Sequence, residues 1–214
     1  MPGDRTVDSK RALDLTLGSL ALAIAVPILT GVALAMRLSG DRGPFLYRAR
    51  RVGQGFSSIA VLKVRTMTEG VGGSTLTLSE DPRVTRLGRV LRRYRIDELP
   101  QLVNVMRGEM SLVGPRPEDP RFVDLTDPLH RRVFSSRPGI TGLAQISFHD
   151  ESERLVGSDA QQRYRDEILP AKLRLDADYL DRRTMLLDLK IILRTLRTVV
   201  TLSTRSHAEN HAGR

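Results

Sequence analysis

Charge is absent from 22 consecutive positions, Leu15 to Met36, between Asp14 and Arg37. A helix of that length is long enough to span a hydrocarbon core of ~30 Å. Lys10 and Arg11 precede the run, and Ala33-Leu34-Ala35 looks like a cleavage site, so a signal peptide is the competing reading. The run exceeds an ordinary signal core and carries Pro27 near its middle, which favours a retained membrane helix. Both flanks are basic: Arg5, Lys10 and Arg11 on one side, Arg37, Arg42, Arg48, Arg50 and Arg51 on the other. The positive-inside bias therefore does not choose an orientation. Pro27 removes a helical hydrogen bond and predicts a kink. Two geometries fit: a bent helix entering and leaving through the cytoplasmic face, or a straight span with a tolerated proline.

Beyond Ser39 the pattern changes. Ile59–Val64 reads as a buried strand with Phe45-Leu46-Tyr47 as partner, and Gly70–Ser74 as a loop. Asp81-Pro82 predicts a helix start, with the helix running to about Ile96. Its Arg86, Arg89 and Arg93 share one face, an arrangement that suits a solvated or lipid-headgroup surface. A short helix is predicted over Leu99–Met106, broken by Gly108 and Gly114-Pro115-Arg116-Pro117. Leu186, Leu189, Ile192, Leu193, Leu196, Val199 and Val200 follow a helical period. That stripe fits an interfacial amphipathic helix or a helix packed on the core. The expected organisation is a flank and membrane helix over 1–38, a catalytic part over 39–185, an amphipathic helix over 186–202 and a disordered tail over 203–214.

The 214 residues hold 34 Lys+Arg against 25 Asp+Glu, a formal charge of +9 that calls for an anionic partner. The absence of cysteine excludes a disulfide scaffold, a thiol nucleophile and Cys-based zinc sites. Aromatics at 4% without Trp argue against stacking of single-stranded bases. There is no Walker loop, no Gly-x-Ser-x-Gly elbow and no dinucleotide fingerprint, since Gly53 and Gly55 lack the third glycine. His130, His149, His207 and His211 show no helical ligand spacing.

Carboxylate and hard-cation chemistry is left. Asp150-Glu151 and Asp166-Glu167 read as solvated surface pairs. Asp97-Glu98 differs, because apolar residues surround it, arginines precede it and Pro100 suits the first turn of a following helix. An acid pair with arginines near a helix N-terminus fits a hard metal ion and a phosphorylated substrate.

The chain resembles the monotopic phosphoglycosyl transferases, bacterial sugar transferases that act on polyprenol phosphate. The shared features run in order from Lys10 to Val200: Lys10-Arg11 with Asp14, the apolar run with Pro27, Gly43-Pro44-Phe45, Arg51-Val52-Gly53 and Lys63-Val64-Arg65-Thr66-Met67. They continue with Asp81-Pro82-Arg83-Val84-Thr85, Asp97-Glu98-Leu99-Pro100-Gln101-Leu102, Met110 to Pro117, and Arg137-Pro138-Gly139-Ile140-Thr141-Gly142 with Gln145. The resemblance implies a mostly α fold with a small β component (α+β): a re-entrant membrane helix bent at Pro27, interfacial amphipathic helices and a compact cytoplasmic catalytic part. It implies transfer of a sugar 1-phosphate from a UDP-sugar to polyprenol (undecaprenyl) phosphate with Mg²⁺, releasing UMP at the bacterial inner membrane. Asp97 would be the nucleophile and would also contact Mg²⁺. Glu98 would act as general base or assist the leaving group. Arg92 and Arg116 would hold phosphate oxygens, and Lys63 and Arg65 would belong to the same polar site.

Three departures stand out: Val26 replaces the serine that often precedes the bend proline, Val64 replaces a phenylalanine, and Arg95 replaces a serine. After Gln145 the chain reads Ile146-Ser147-Phe148-His149-Asp150 in place of a Gly-Arg turn. The competing class is a membrane-anchored basic protein that binds lipid or nucleic acid without turnover, which would show salt-sensitive binding and no product.

Overall fold

A computed structural model describes residues 3–68, 81–148, 151, 155 and 159–212, with side chains defined within 9–199 and at 201. The Gly70–Ser74 loop and the His149-Asp150 pair lie outside the described residues. The chain is mostly helical with two small sheets, as the resemblance implied.

Helix α1, Gly3–Leu38, carries Pro27 inside it. An 18-residue window within its Ser9–Leu38 stretch has a mean hydropathy of 2.2, and among the described residues this helix alone is long and apolar enough to cross a membrane. Leu20, Ile24, Val26, Ile28 and Leu34 are exposed, so one apolar face along the middle of this helix is uncovered, while Ala25 between them is buried. The Thr30 hydroxyl donates to the Val26 carbonyl (2.9 Å). A back-bond of this kind accompanies helix bends, and it brings a hydroxyl to the proline from the side opposite position 26.

Both ends of α1 dock on the rest of the chain. At the N-terminal end Lys10 donates to Asp188 (2.6 Å), and Arg11 donates to the carbonyls of Val105 (2.7 Å) and Met106 (2.9 Å). Asp14 accepts from the Ser111 hydroxyl and the Leu112 N–H. At the other end Met36 is buried with Val64 and Leu91, with Leu29 and Val32 against them.

Strands β1 (Leu46–Val52) and β2 (Ser58–Val64) form an antiparallel hairpin, paired from Leu46↔Val64 to Val52↔Ser58. The predicted strand and its partner are therefore present, with the partner running longer than expected. A one-turn helix at Gln54–Phe56 closes the hairpin, with Gly55 in the left-handed region (φ 62°).

Helix α2 spans Arg86–Arg93, not the predicted stretch from Asp81 to Ile96. Thr85 caps it by accepting from the Gly88 N–H, and Asp81 holds Arg83 in a separate turn. Arg95 in the left-handed region (φ 53°) prevents its continuation. Gly88 is required at the crossing with the hairpin: a Cβ there would sit 2.2 Å from the Thr66 carbonyl oxygen. Helix α3 (Gln101–Arg107) lies against β2 through Asn104. The Asn104 amide accepts from the Leu62 N–H (3.0 Å) and donates to the Ala60 carbonyl (2.9 Å), filling a sheet edge otherwise left unpaired. Arg11 meanwhile satisfies carbonyls at the α3 C-terminus.

Strands β3 (Ser111–Val113) and β4 (Gly139–Thr141) pair in parallel. Between them lies α4 (Pro128–Phe134), capped by Asp127, and after them α5 (Leu143–Ser147). Helix α6 (Ala160–Arg163) passes through a π turn, Tyr164–Ile168, into α7 (Leu169–Arg182). Pro170 in the first turn of α7 has no N–H to donate, which explains the widened turn before it. The main core joins Phe122, Val133, Phe134, Tyr164, Ile168 and Leu173.

Helix α8 is Met185–Ala212, so it continues past the expected end at 202 through the stretch read as a disordered tail. No glycine or proline interrupts it before Gly213. Its two faces divide the apolar residues: Leu187, Ile191 and Ile192 pack with Tyr179 and Val113, while Leu186, Leu189, Leu193 and Leu196 are exposed.

Candidate active site

The acid pair sits on a one-turn helix, Ile96–Glu98, wedged between α2 and α3. Arg95 in its left-handed conformation turns the chain inward, so that Asp97 is buried and Glu98 half-buried. The two carboxylates differ in their surroundings. Glu98 accepts from Lys63 at one oxygen (3.1 Å) and from Arg95 at the other (3.2 Å). Burial opposes its ionisation, but Lys63, Arg95 and Arg116 outweigh that and hold Glu98 well below the usual carboxylate range. Asp97 accepts no hydrogen bond among the described residues. Burial, followed by the adjacent Glu98 charge, pushes its pKa up despite Lys63, Arg92 and Arg95 nearby. The result is one carboxylate committed to cations and one with its oxygens unspent.

Cations surround the pair from several elements. Arg92, on α2, donates to the Thr66 hydroxyl (2.8 Å) and lies in the field of Asp97 and Glu98; burial lowers its pKa. Arg116, in Pro115-Arg116-Pro117 after β3, lines a small cleft with Glu98, Lys63, Gln101 and Arg51. Its guanidinium makes no hydrogen bond or ion pair among the described residues. Burial works against that charge, yet the carboxylates of Glu98, Glu151 and Glu118 raise its pKa beyond the ordinary arginine value. A charged fork without a partner is suited to two phosphate oxygens.

Asp97, Glu98, Lys63, Arg92 and Arg116 are thus brought together. Arg65 is not. It follows the end of β2 and is spent on Asp41 and on the carbonyls of Pro44 and Met67, so it fastens the segment after α1. A larger cavity of about 720 Å³ lies there, between Met36, Asp41, Arg65, Arg86 and Leu91, and does not contain the acid pair.

Sequence reasoning missed other residues. Arg51 lines the cleft and is steadied by Asp119 (3.3 Å); its place in Arg51-Val52-Gly53 was the available signal. Glu151 was expected on a solvated surface, but it accepts from the buried Lys172 (2.7 Å). No signal marked Lys172, because only the fold removes it from water. Asp166 and Glu167 are exposed, as read. His130 accepts from the Asp124 N–H and has a structural place.

Among the described residues no three His, Asp or Glu side chains converge as a metal cage. Mg²⁺ needs less, since it commonly takes one or two carboxylates and completes its shell with water and substrate phosphates. Asp97, with free oxygens and a cost to ionising alone, fits that demand.

An acid pair with Asp97 buried, several cations in reach of it and a helix apolar and long enough to cross a membrane are features suited to transfer at phosphorus on a membrane-borne substrate. The chain belongs to the bacterial sugar transferase family, whose model matches residues 5–202. It is 39% identical over 197 residues to the UDP-glucose:undecaprenyl-phosphate glucose-1-phosphate transferase of Caulobacter vibrioides, covering 90% of this chain and 70% of that protein. It is 41% identical to the undecaprenyl-phosphate glucose phosphotransferase of Komagataeibacter xylinus, covering 88% of this chain and 35% of that protein. With the exopolysaccharide production protein PSS of Rhizobium leguminosarum bv. phaseoli it shares 36% identity, over 90% of this chain and 95% of the relative. The chain therefore spans nearly the whole of one relative and about a third of another.

Proposed function

We propose that this chain transfers a sugar 1-phosphate from a UDP-sugar to undecaprenyl phosphate, in two steps, through a phosphosugar ester on Asp97. The observation that carries this reading is the contrast within the acid pair: Glu98 is bonded to Lys63 and Arg95, while no described residue donates to Asp97. In the first step an Asp97 oxygen attacks the phosphorus bearing the sugar. An O–P bond forms to the carboxylate, the bond to the bridging oxygen breaks, and UMP leaves with that electron pair. In the second step an oxygen of undecaprenyl phosphate attacks the same phosphorus, and the Asp97 carboxylate is released. Splitting one displacement into two gives ping-pong kinetics.

Arg116 and Arg92 would hold the phosphate oxygens, and Lys63 would keep Glu98 oriented. Asp97 would also hold Mg²⁺, which when bound would offset the diphosphate charge. Glu98 would act as general base toward the incoming phosphate or assist the leaving group. The membrane helix is read as re-entrant, with the catalytic part on the cytoplasmic face. Both ends of α1 bind one and the same body, while Leu20, Ile24, Val26 and Ile28 between them present an exposed apolar face.

With excess enzyme and UDP-sugar but no acceptor, UMP is expected in near-stoichiometric amount. A peptide containing Asp97 should then be heavier by one sugar phosphate. Intersecting initial-rate plots with no modified peptide would point instead to direct attack by the acceptor.

A further inference from the structure

A closed polar network lies behind Arg116. Tyr164, Lys172 and Glu118 are all buried. The Tyr164 hydroxyl donates to Glu118 (2.6 Å) and accepts from the Lys172 ammonium (3.0 Å). Lys172 also donates to Glu151 (2.7 Å) and lies 4.0 Å from Glu118. The π turn beginning at Tyr164 and the first turns of α7 bring both donors to this point.

Three carboxylates bear on the Arg116 guanidinium: Glu98, Glu151 and Glu118. Each is already bonded to a different donor. Lys63 and Arg95 occupy Glu98, Tyr164 occupies Glu118, and Lys172 occupies Glu151. An arginine beside an unoccupied buried carboxylate would close a two-point ion pair with it. An arginine closed in that way is lost to a substrate phosphate. We propose that Tyr164 and Lys172 are positioning residues that hold Glu118 and Glu151 away from Arg116 and so keep its guanidinium available to the substrate. This rests on the reading of Arg116 as a phosphate ligand.

A purely structural network makes a different forecast. Losing it would lower thermal stability but leave the folded molecules binding normally, and neutralising a carboxylate would restore nothing. The test titrates UDP calorimetrically into full-length protein in nanodiscs, with Arg116→Ala as reference. Tyr164→Phe and Lys172→Met should each weaken UDP binding by about tenfold, the worth of roughly one hydrogen bond to a charged group. Adding Glu151→Gln to Lys172→Met should recover most of that loss. Should Lys172→Met fail to fold, Tyr164→Phe, which removes one oxygen atom, decides alone. Binding in Arg116→Ala equal to the wild type overturns the phosphate-ligand reading and this inference with it. Loss in Arg116→Ala with unaltered affinity in Tyr164→Phe overturns the inference only.

Discussion

Asp188 and Asp97 are both buried carboxylates close to a lysine, and they have opposite surroundings. Asp188 on α8 accepts from Lys10 at one oxygen and from the Tyr179 hydroxyl at the other (2.6 Å each). Its charge is matched within the chain, and the bonds tie the start of α1 to the C-terminal helix. Asp97 shares its neighbourhood with several cations, yet none donates to it among the described residues, and Glu98 takes the nearest lysine. Saturation marks a joint. A buried charge left unsatisfied among nearby cations marks a place meant for something else, at a cost in stability that the rest of the fold offsets.

The largest expected effect separates the two directly. Asp97→Asn keeps the shape and removes the proposed nucleophile, so turnover should fall by about 10⁴-fold or more, followed by UMP release. Stability should move the other way. The folded pKa of Asp97 lies above its ordinary value, so ionised Asp97 destabilises the fold at neutral pH. Asn at 97 should therefore raise the melting temperature at pH 7, and the gain should shrink as the pH falls toward the ordinary carboxylate range. A stability loss at pH 7 would mean that Asp97 is a joint like Asp188.

Arg116→Lys comes next. A point charge cannot reproduce two parallel donors, so kcat/KM for the UDP-sugar should drop by roughly 10²-fold despite the retained charge. Near-normal rates would show that only net charge matters in the cleft.

The acid pair and Arg116 were legible because each sits in a contiguous motif, and contiguity survives folding. Boundaries were less legible. Arg83 reads as one of a helical arginine series, but Asp81 holds it in a turn, and Arg95 breaks the series from the other end through its backbone angles. The resemblance puts Lys63 and Arg65, two positions apart in one motif, in the same polar site. Strand β2 ends between them, and Arg65 turns to Asp41. Glu151 and Lys172 were illegible for a plainer reason: they are 21 positions apart, and their burial arises only when α7 covers the Pro115-Arg116-Pro117 loop.

Asp176 supplies the third contrast. It lies on α7 and accepts from the N–H of Arg116 (3.3 Å), while its other oxygen is buried without a partner. Burial raises its pKa to about 7. The folded state then binds a proton that the unfolded chain has released, so stability should decline as pH rises from about 4 to about 7. Asp176→Asn keeps an acceptor for the Arg116 N–H and should flatten that decline, adding up to a few kcal/mol at pH 8 and almost nothing at pH 4. Chemical denaturation across that range measures it. An unchanged slope would mean that the fold matches the charge of Asp176 and does not hold it protonated.

The smallest effect concerns Asp188 itself. Asp188→Asn leaves Lys10 without its counter-ion and Tyr179 with a weaker acceptor, and Lys10 is only 23% exposed in its side chain. Removing one partner of a well-buried pair costs about 3–5 kcal/mol, and partial exposure of Lys10 reduces that to about 2 kcal/mol. The loss should appear as a lower melting temperature in detergent, with turnover per folded molecule unchanged. Lys10→Met combined with Asp188→Leu should recover much of the stability, because an apolar pair of similar volume needs no counter-charge. On the proposed reading no such replacement should restore activity at Asp97, whose carboxylate is needed for the substrate. If Asp188→Asn lowers turnover in proportion to Asp97→Asn while the protein stays folded, the division between joint and site fails, and the start of α1 belongs to the catalytic machinery.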